Sequence, residues 1–345
     1  STLGTGSFGK VSSCAVDGQM HAQPLYAANI TADGRARNIV YVATEHDSIY
    51  AFDADAIPCL QIWMRSFLDE GAGVTSVPGS DIPGSDISPE AGIAGTPAID
   101  RASGTLYLVA RTRESGPSYV QRLHALDIVT GSEKSGSPVV ISATAPGFGD
   151  GANGLGVVVF DALVQSQRAA LMLVGGKLYV TFGGHGESSF FHGWLLVYDA
   201  ATLARIGVFN STPNGSHGGF AESGAGVSAD TGENIFAATG HGTFDDALSA
   251  LFRKDFSQTV LKLQPNPSLN IADTFTPSNQ SVLTDNQTDF GSTGVLILPD
   301  QIGTANPRLA IIGATNGALY LVNRDNLGGF ALGGPDRVVK KLDLV

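Results

Sequence analysis

Val40-Tyr-Val-Ala-Thr44, then four polar residues, then Ile49-Tyr-Ala-Phe-Asp53 is the stretch from which the fold can be read. Two short apolar runs, rich in β-branched and aromatic side chains and joined by a polar link, make a β-hairpin. The pair recurs as Leu106-Tyr-Leu-Val-Ala110 with Leu123-His-Ala-Leu-Asp127, and as Leu178-Tyr-Val-Thr-Phe182 with Leu195-Leu-Val-Tyr-Asp199. It recurs again as Ile235-Phe-Ala-Ala-Thr239 with Val260-Leu-Lys-Leu-Gln264, and as Ala310-Ile-Ile-Gly-Ala314 with Leu319-Tyr-Leu-Val-Asn323. The second run ends on Asp in three copies and on Asn in one, side chains that bond the backbone of a following turn.

Working outward, a further apolar run closed by turn chemistry precedes most copies, as in Gly95-Thr-Pro-Ala-Ile-Asp100 before Arg101-Ala-Ser-Gly104. A turn such as Ile128-Val-Thr-Gly131 then leads to a fourth, more polar strand. Tyr41, Tyr107, Tyr179, Phe236 and Ile311 are equivalent, spaced 66, 72, 57 and 75 residues apart. Four strands, A to D, repeating at this spacing predict an all-β fold, a β-propeller of four-stranded antiparallel blades. The expected units are residues 18–70, 71–145, 146–212, 213–275 and 276–345. Residues 1–17, with Ser7-Phe-Gly-Lys-Val-Ser-Ser-Cys-Ala-Val-Asp17, read as the outer strand of a closing blade. Arg337-Val-Val-Lys-Lys-Leu-Asp343 already supplies the fifth unit's D strand, so a ring with further blades beyond Val345 is expected.

Composition agrees: 44 glycines and only 15% charged residues in 345 suit short strands and tight turns. A net charge of −12 argues against nucleic acid, whose phosphates need a basic surface. No apolar run approaches a membrane span. Ser1 reads as a processed or trimmed end. Cys14 and Cys59 are compatible with one disulfide or with two buried thiols. Sequons at Asn29, Asn210, Asn214, Asn279 and Asn286 mark candidate glycosylation sites in an exported protein.

Ala51-Phe-Asp-Ala-Asp55 with Trp63, and Leu126-Asp-Ile-Val-Thr-Gly131, resemble the PQQ repeat A-x-D-x-x-T-G-x-x-x-W. The whole chain is similar to exported PQQ-repeat, quinoprotein-like propellers of bacteria and fungi. Shared stretches include Val40-Tyr-Val-Ala-Thr-Glu-His-Asp47, Pro89-Glu-Ala-Gly-Ile-Ala-Gly-Thr-Pro97, His192-Gly-Trp194, Gly240-His-Gly-Thr-Phe-Asp245 and Asn323-Arg-Asp-Asn-Leu-Gly328. The resemblance implies a ring of seven or eight blades, a tryptophan docked between blades, and a secreted, extracellular or periplasmic location.

In an A-B-C-D blade the B–C and D–A connections share one face. Here those connections are long and polar, and sites sit on loops held by a rigid scaffold. Six of seven histidines fall there. Glu45, His46 and Asp47 are candidates for a metal or ligand contact at the channel mouth. His185, Glu187 and His192 are spaced so that imidazoles and a carboxylate could converge on a divalent cation. Asp81 and Asp86 lie on Gly-rich loops suited to Ca²⁺. Gln23, Glu90, Thr96, Gln167, Glu222 and Thr293 stand near the starts of A strands and are expected to line the channel and contact a ligand. His21, Arg168, His217 and Asp289 share the same connections.

The leading function is an extracellular module binding a glycan, small molecule or protein on this face. The alternatives are a PQQ- and Ca²⁺-dependent sugar or alcohol oxidoreductase, and a metal-dependent hydrolase or lyase. Alcohol dehydrogenases of the resembled family carry adjacent cysteines and a tryptophan floor. This chain has no adjacent cysteines, and Trp63 and Trp194 fit docking and strand positions, which argues against PQQ. Calcium or another divalent metal stays compatible with the loop carboxylates.

Overall fold

A computed structural model describes residues 9–85, 87–116, 118–186, 190–220, 224–245, 254–266 and 268–344. Antiparallel sheets follow one another along the chain, four strands of each lying side by side in sequence order, with Thr75–Pro78 also pairing to Thr105–Glu114 in the second. The first holds Leu25–Ala32, Arg35–Ala43, Ser48–Asp53 and Leu60–Ser66 as strands A to D; the second holds Ala98–Asp100, Thr105–Glu114, Ser118–Asp127 and Val139–Val140. The third holds Met172–Val174, Lys177–Phe182, Trp194–Asp199 and Arg205–Asn210; the fourth holds Ser228–Ala229, Ile235–Ala238, Val260–Leu263 and Ile271–Thr276. The fifth holds Phe290–Ile297, Leu309–Ala314, Ala318–Asn323 and Lys340–Asp343. This is the propeller plan.

The B and C strands are apolar throughout because both of their faces are covered. Successive side chains on a strand point to opposite sides. Leu106, Leu108 and Ala110 therefore pack toward Tyr41 and Ile49 of the first sheet. Their neighbours Tyr107 and Val109 pack toward Leu178, Val180 and Trp194 of the third. The same sandwiching joins Tyr179 to Ile235 and Leu261, and Phe236 to Ile312 and Tyr320. Each fully buried Leu or Val contributes about 1.5–3 kcal/mol relative to an exposed one.

The outer, C–D ends are held by the aspartates that close the C strands. Asp127 Oδ1 accepts from the N–H groups of Val129 and Thr130, both at 2.9 Å. Asp199 Oδ1 accepts from Ala201 N–H at 3.1 Å and Thr202 N–H at 2.8 Å. Asp53 and Asn323 make the corresponding bonds to Asp55 and Asp325. Trp63, on the first sheet's D strand, crosses to the second sheet. Its indole N–H donates to Ile128 O at 3.1 Å, and a Cβ on Gly131 (φ 71°) would lie 2.6 Å from its ring. The glycine is what lets the tryptophan dock.

Four features depart from the sequence reading. Residues 9–17 form no strand; Cys14 is joined to Cys59 by a disulfide, and Asp17 bonds Thr44 and Ser48, so the segment lies along the first sheet as a strap. The connection into the fifth sheet contains a short helix, Gln280–Asp285, flanked by Asn279 and Asn286. Gly329–Phe330 pairs in parallel with Ile271–Thr276, widening the fourth sheet. Asn210 is 8% exposed and closes a D strand, its Oδ1 accepting from Thr212 N–H, so it is not accessible to a glycan. Asn29, Asn214 and Asn286 are exposed. Among the described residues no helix is long and apolar enough to cross a membrane.

Candidate functional site

Segments leading into the A strands of all five sheets, with the B–C connections of the third and fourth, converge on one cavity of about 400 Å³. His21 precedes the first A strand, Ile87 lies before the second, Ser166 and Arg168 before the third, and Gly219 before the fourth. Asp289 immediately precedes the fifth. B–C segments add Gly183, Gly184, His185, Gly186 and Phe191 from the third sheet, and Gly240 and His241 from the fourth. Glycines crowd this wall because side chains occupy the space a Cβ would need. At Gly184 a Cβ would fall 2.2 Å from the Phe191 ring.

Behind the cavity is a buried charged layer. Glu45 is 1% exposed; its Oε1 pairs with His21 Nδ1 at 2.6 Å, and its Oε2 accepts from Gly92 N–H at 2.7 Å. Asp47, at the hairpin tip with φ 48°, accepts from Arg111 N–H at 3.0 Å, tying the first sheet to the second. Burial holds the Asp47 carboxyl well above the usual carboxylate range. Its Oδ2 has no hydrogen-bond partner among the described residues. Arg111 donates from Nη1 to His185 Nε2 at 2.5 Å and from Nη2 to Leu163 O. Burial lowers Arg111 to about 10, and burial together with the Arg111 charge pushes His185 down to about 3. His185 is therefore neutral. With its Nε2 lone pair accepting from Arg111, its proton sits on Nδ1.

The expected site residues divide sharply. His185 lines the cavity, and Glu45 and Asp47 stand behind it. His46 and Glu90 pair at 2.9 Å, with Ser76 on the other Glu90 oxygen, away from the cavity lining. Gln23 N–H donates to Thr96 Oγ1 at 3.0 Å, Gln167 Nε2 donates to Ala169 O at 2.6 Å, and Thr293 Oγ1 accepts from Gly313 N–H at 2.9 Å. These four brace the backbone rather than line the cavity. Glu187, Glu222 and Asp86 lie outside the described residues. His21, Ser166, Arg168, His241 and Asp289 do line it. Ser166 and Arg168 flank Gln167 directly in the chain. A shift of one residue turns a side chain to the opposite side, and no sequence pattern reports that phase in a loop.

Among the described residues, the side chains expected to hold a metal have other partners. His192 is 2% exposed, with Nε2–H donating to Asp150 O at 2.8 Å and Nδ1 on Thr212 Oγ1 at 3.0 Å, so both ring nitrogens are occupied. His185 has the Arg111 guanidinium against it, which repels a cation. Asp81 accepts from Tyr119 OH and pairs with Arg113. Among the described residues no three His, Cys, Asp or Glu side chains are grouped to hold a metal ion. PQQ fares no better. Trp63 and Trp194 are packed in the core, and Cys14 and Cys59 bond on the flank of the first sheet, so none of them lines the cavity. Among the described residues, those lining the cavity do not fit a quinone–calcium site.

No family model and no curated protein matches this sequence. Among solved structures it is similar to a quinohemoprotein alcohol dehydrogenase from Pseudomonas putida HK5, at 15% identity and a TM-score of 0.62, over 98% of this chain and 44% of that one. It is also similar to the quinohemoprotein alcohol dehydrogenase from Comamonas testosteroni, at 14% identity and a TM-score of 0.60, over 95% of this chain and 43% of that one. A europium-containing methanol dehydrogenase is similar at 14% identity and a TM-score of 0.53, over 93% of this chain and 53% of that one. The chain spans about half the length of these proteins or less. Its fold is a quinoprotein-like β-propeller.

Proposed function

We propose that this protein is an exported binding module that takes a small polar ligand, a saccharide unit, in the cavity of its loop-rich face. The observation that carries this reading is the convergence on that one cavity of the segments before all five A strands and of two B–C connections. Its size is in the range of small-ligand sites, and it combines one aromatic wall with a few polar groups. The Cys14–Cys59 disulfide supports an oxidising compartment.

Catalysis is less well supported. Ser76, Glu90 and His46 form a hydrogen-bonded row, but the carboxylate stands between hydroxyl and imidazole, so the imidazole does not reach the hydroxyl. The oxidoreductase reading rests on the fold likeness to quinohemoprotein dehydrogenases and finds no matching residues in the cavity.

The test is calorimetric titration of neutral and charged monosaccharides into the protein and into Ser166→Phe, which plugs the cavity. Binding that the plug abolishes, in a variant with unchanged circular dichroism, supports the reading. Absence of binding across the panel, or binding indifferent to the plug, refutes it.

A further inference from the structure

Within the proposed cavity some polar groups have partners in the protein and some have none. His21 is held by Glu45, and Asp289 Oδ1 accepts from both the backbone N–H and Nδ1 of His241, at 2.9 and 2.6 Å. By contrast, the Arg168 guanidinium makes no hydrogen bond or ion pair among the described residues. Nor does Ser166 Oγ, Asp289 Oδ2, or the Nδ1–H that Arg111 enforces on His185. Buried or half-buried polar groups left without a protein partner cost stability unless something else bonds them.

These four groups have a definite chemistry. Arg168 offers a planar fork of donors with a full positive charge, suited to a carboxylate. His185 offers a neutral donor, Ser166 a hydroxyl, and Asp289 Oδ2 an acceptor for a ligand hydroxyl. Among the described residues, the carboxylates nearest the cavity do not cancel Arg168: Glu45 is engaged by His21 and Gly92 N–H, and Asp289 by His241. The chain's net charge of −12 opposes an anion only at long range, and physiological salt screens such a field beyond about 8 Å. We infer that the ligand is a polyhydroxylated carboxylate, a sugar acid, with its carboxylate on Arg168 and its hydroxyls shared among His185, Ser166 and Asp289. This rests on the binding reading above and narrows it.

The experiment titrates D-glucuronate, D-glucose and acetate separately into the wild-type protein, Arg168→Gln and Arg168→Lys at constant ionic strength. Glucuronate should bind tighter than either other probe. Arg168→Gln should weaken it by about 10- to 100-fold, and Arg168→Lys by less, while glucose is unaffected by either change. Circular dichroism of the variants should match the wild type, since Arg168 has no partner to lose among the described residues. Glucose binding as tightly as glucuronate, or glucuronate binding unchanged in Arg168→Gln, overturns the inference while leaving the cavity a saccharide site. Acetate matching glucuronate overturns the hydroxyl contacts. If no probe binds the wild type, the binding reading falls together with this one.

Discussion

The two ends of the same sheets treat ionisable side chains in opposite ways. At the C–D ends the carboxylates are local turn-formers. The Thr202 hydroxyl and N–H pull Asp199 below the usual carboxylate range, and the N–H of Asp55 with the Arg37 guanidinium does the same to Asp53. On the loop-rich face Asp47 is raised, His185 lowered and Asp255 raised to about 6, all toward the neutral form, while Asp289 is held low by the His241 bonds despite its burial. A lowered carboxylate favours the folded state at neutral pH, whereas a raised one opposes it. The C–D ends are built for stability, and the loop face carries groups that cost stability, as binding sites commonly do.

The largest test of this contrast is at the C–D end. Trp63→Ala removes a large docked side chain and its bond to Ile128 O, leaving a void between the first two sheets. A loss of about 4 kcal/mol is expected from such a truncation, read as a fall in the urea midpoint. A small change would mean that the first sheet is not held through this contact.

On the opposite face, Arg111→Met leaves His185 Nε2 and Leu163 O without their donor, and Asp47 without a nearby cation. Breaking a buried charged network on one side costs about 3 kcal/mol. A second reading is independent of stability. With the guanidinium gone, the His185 imidazole should titrate at higher pH than about 3, measurable by NMR. An unmoved titration would show that burial alone keeps His185 neutral.

The contrast also marks where the sequence could be read. Strand positions were legible because their side chains are buried on both faces, which writes an unbroken apolar run. The C–D aspartates were legible because their bonds span only two or three residues. The cavity was legible as a face but not as a set of side chains. Gln167 and Arg168 are adjacent and equally polar, yet Gln167 donates to Ala169 O while Arg168 reaches the cavity. That choice is made by contacts with residues far away in sequence, such as the close approach of Gly95 to Gln167 and of Gly224 to Arg168. The strap at residues 9–17 was misread as a strand for a like reason. Its bonds to Thr44, Ser48 and Cys59 are tertiary, and an apolar-polar alternation does not foretell them.

Asp255 sharpens the comparison through pH. It is 1% exposed, burial raises it to about 6, Asp245 adds to this, and Asn214 N–H at 2.9 Å opposes it. Because its folded value lies above the unfolded one, near 4, its ionisation opposes folding above about pH 6. That penalty is relieved as pH falls from about 6 toward 4 and is gone below. Asp255→Asn keeps an acceptor for Asn214 N–H and should flatten this part of the stability profile, by about 2 kcal/mol between pH 7 and pH 4.

Asp199 should show the reverse sign and the smallest effect. Its folded value is below the unfolded one, so its contribution is complete above about pH 4 and is lost as pH falls through the lowered value. Asp199→Ala removes the bonds to Ala201 N–H and Thr202 N–H from an exposed turn. The turn's N–H groups then turn to water, which limits the loss to about 1 kcal/mol at pH 7. The variant's deficit should shrink below pH 4, where the wild-type carboxyl is protonated too. A deficit that persists unchanged to pH 2 would assign the loss to the turn's backbone geometry instead of the carboxylate. The C–D ends would then owe their stability to shape, and the opposition of signs between the two ends would rest on Asp53 alone.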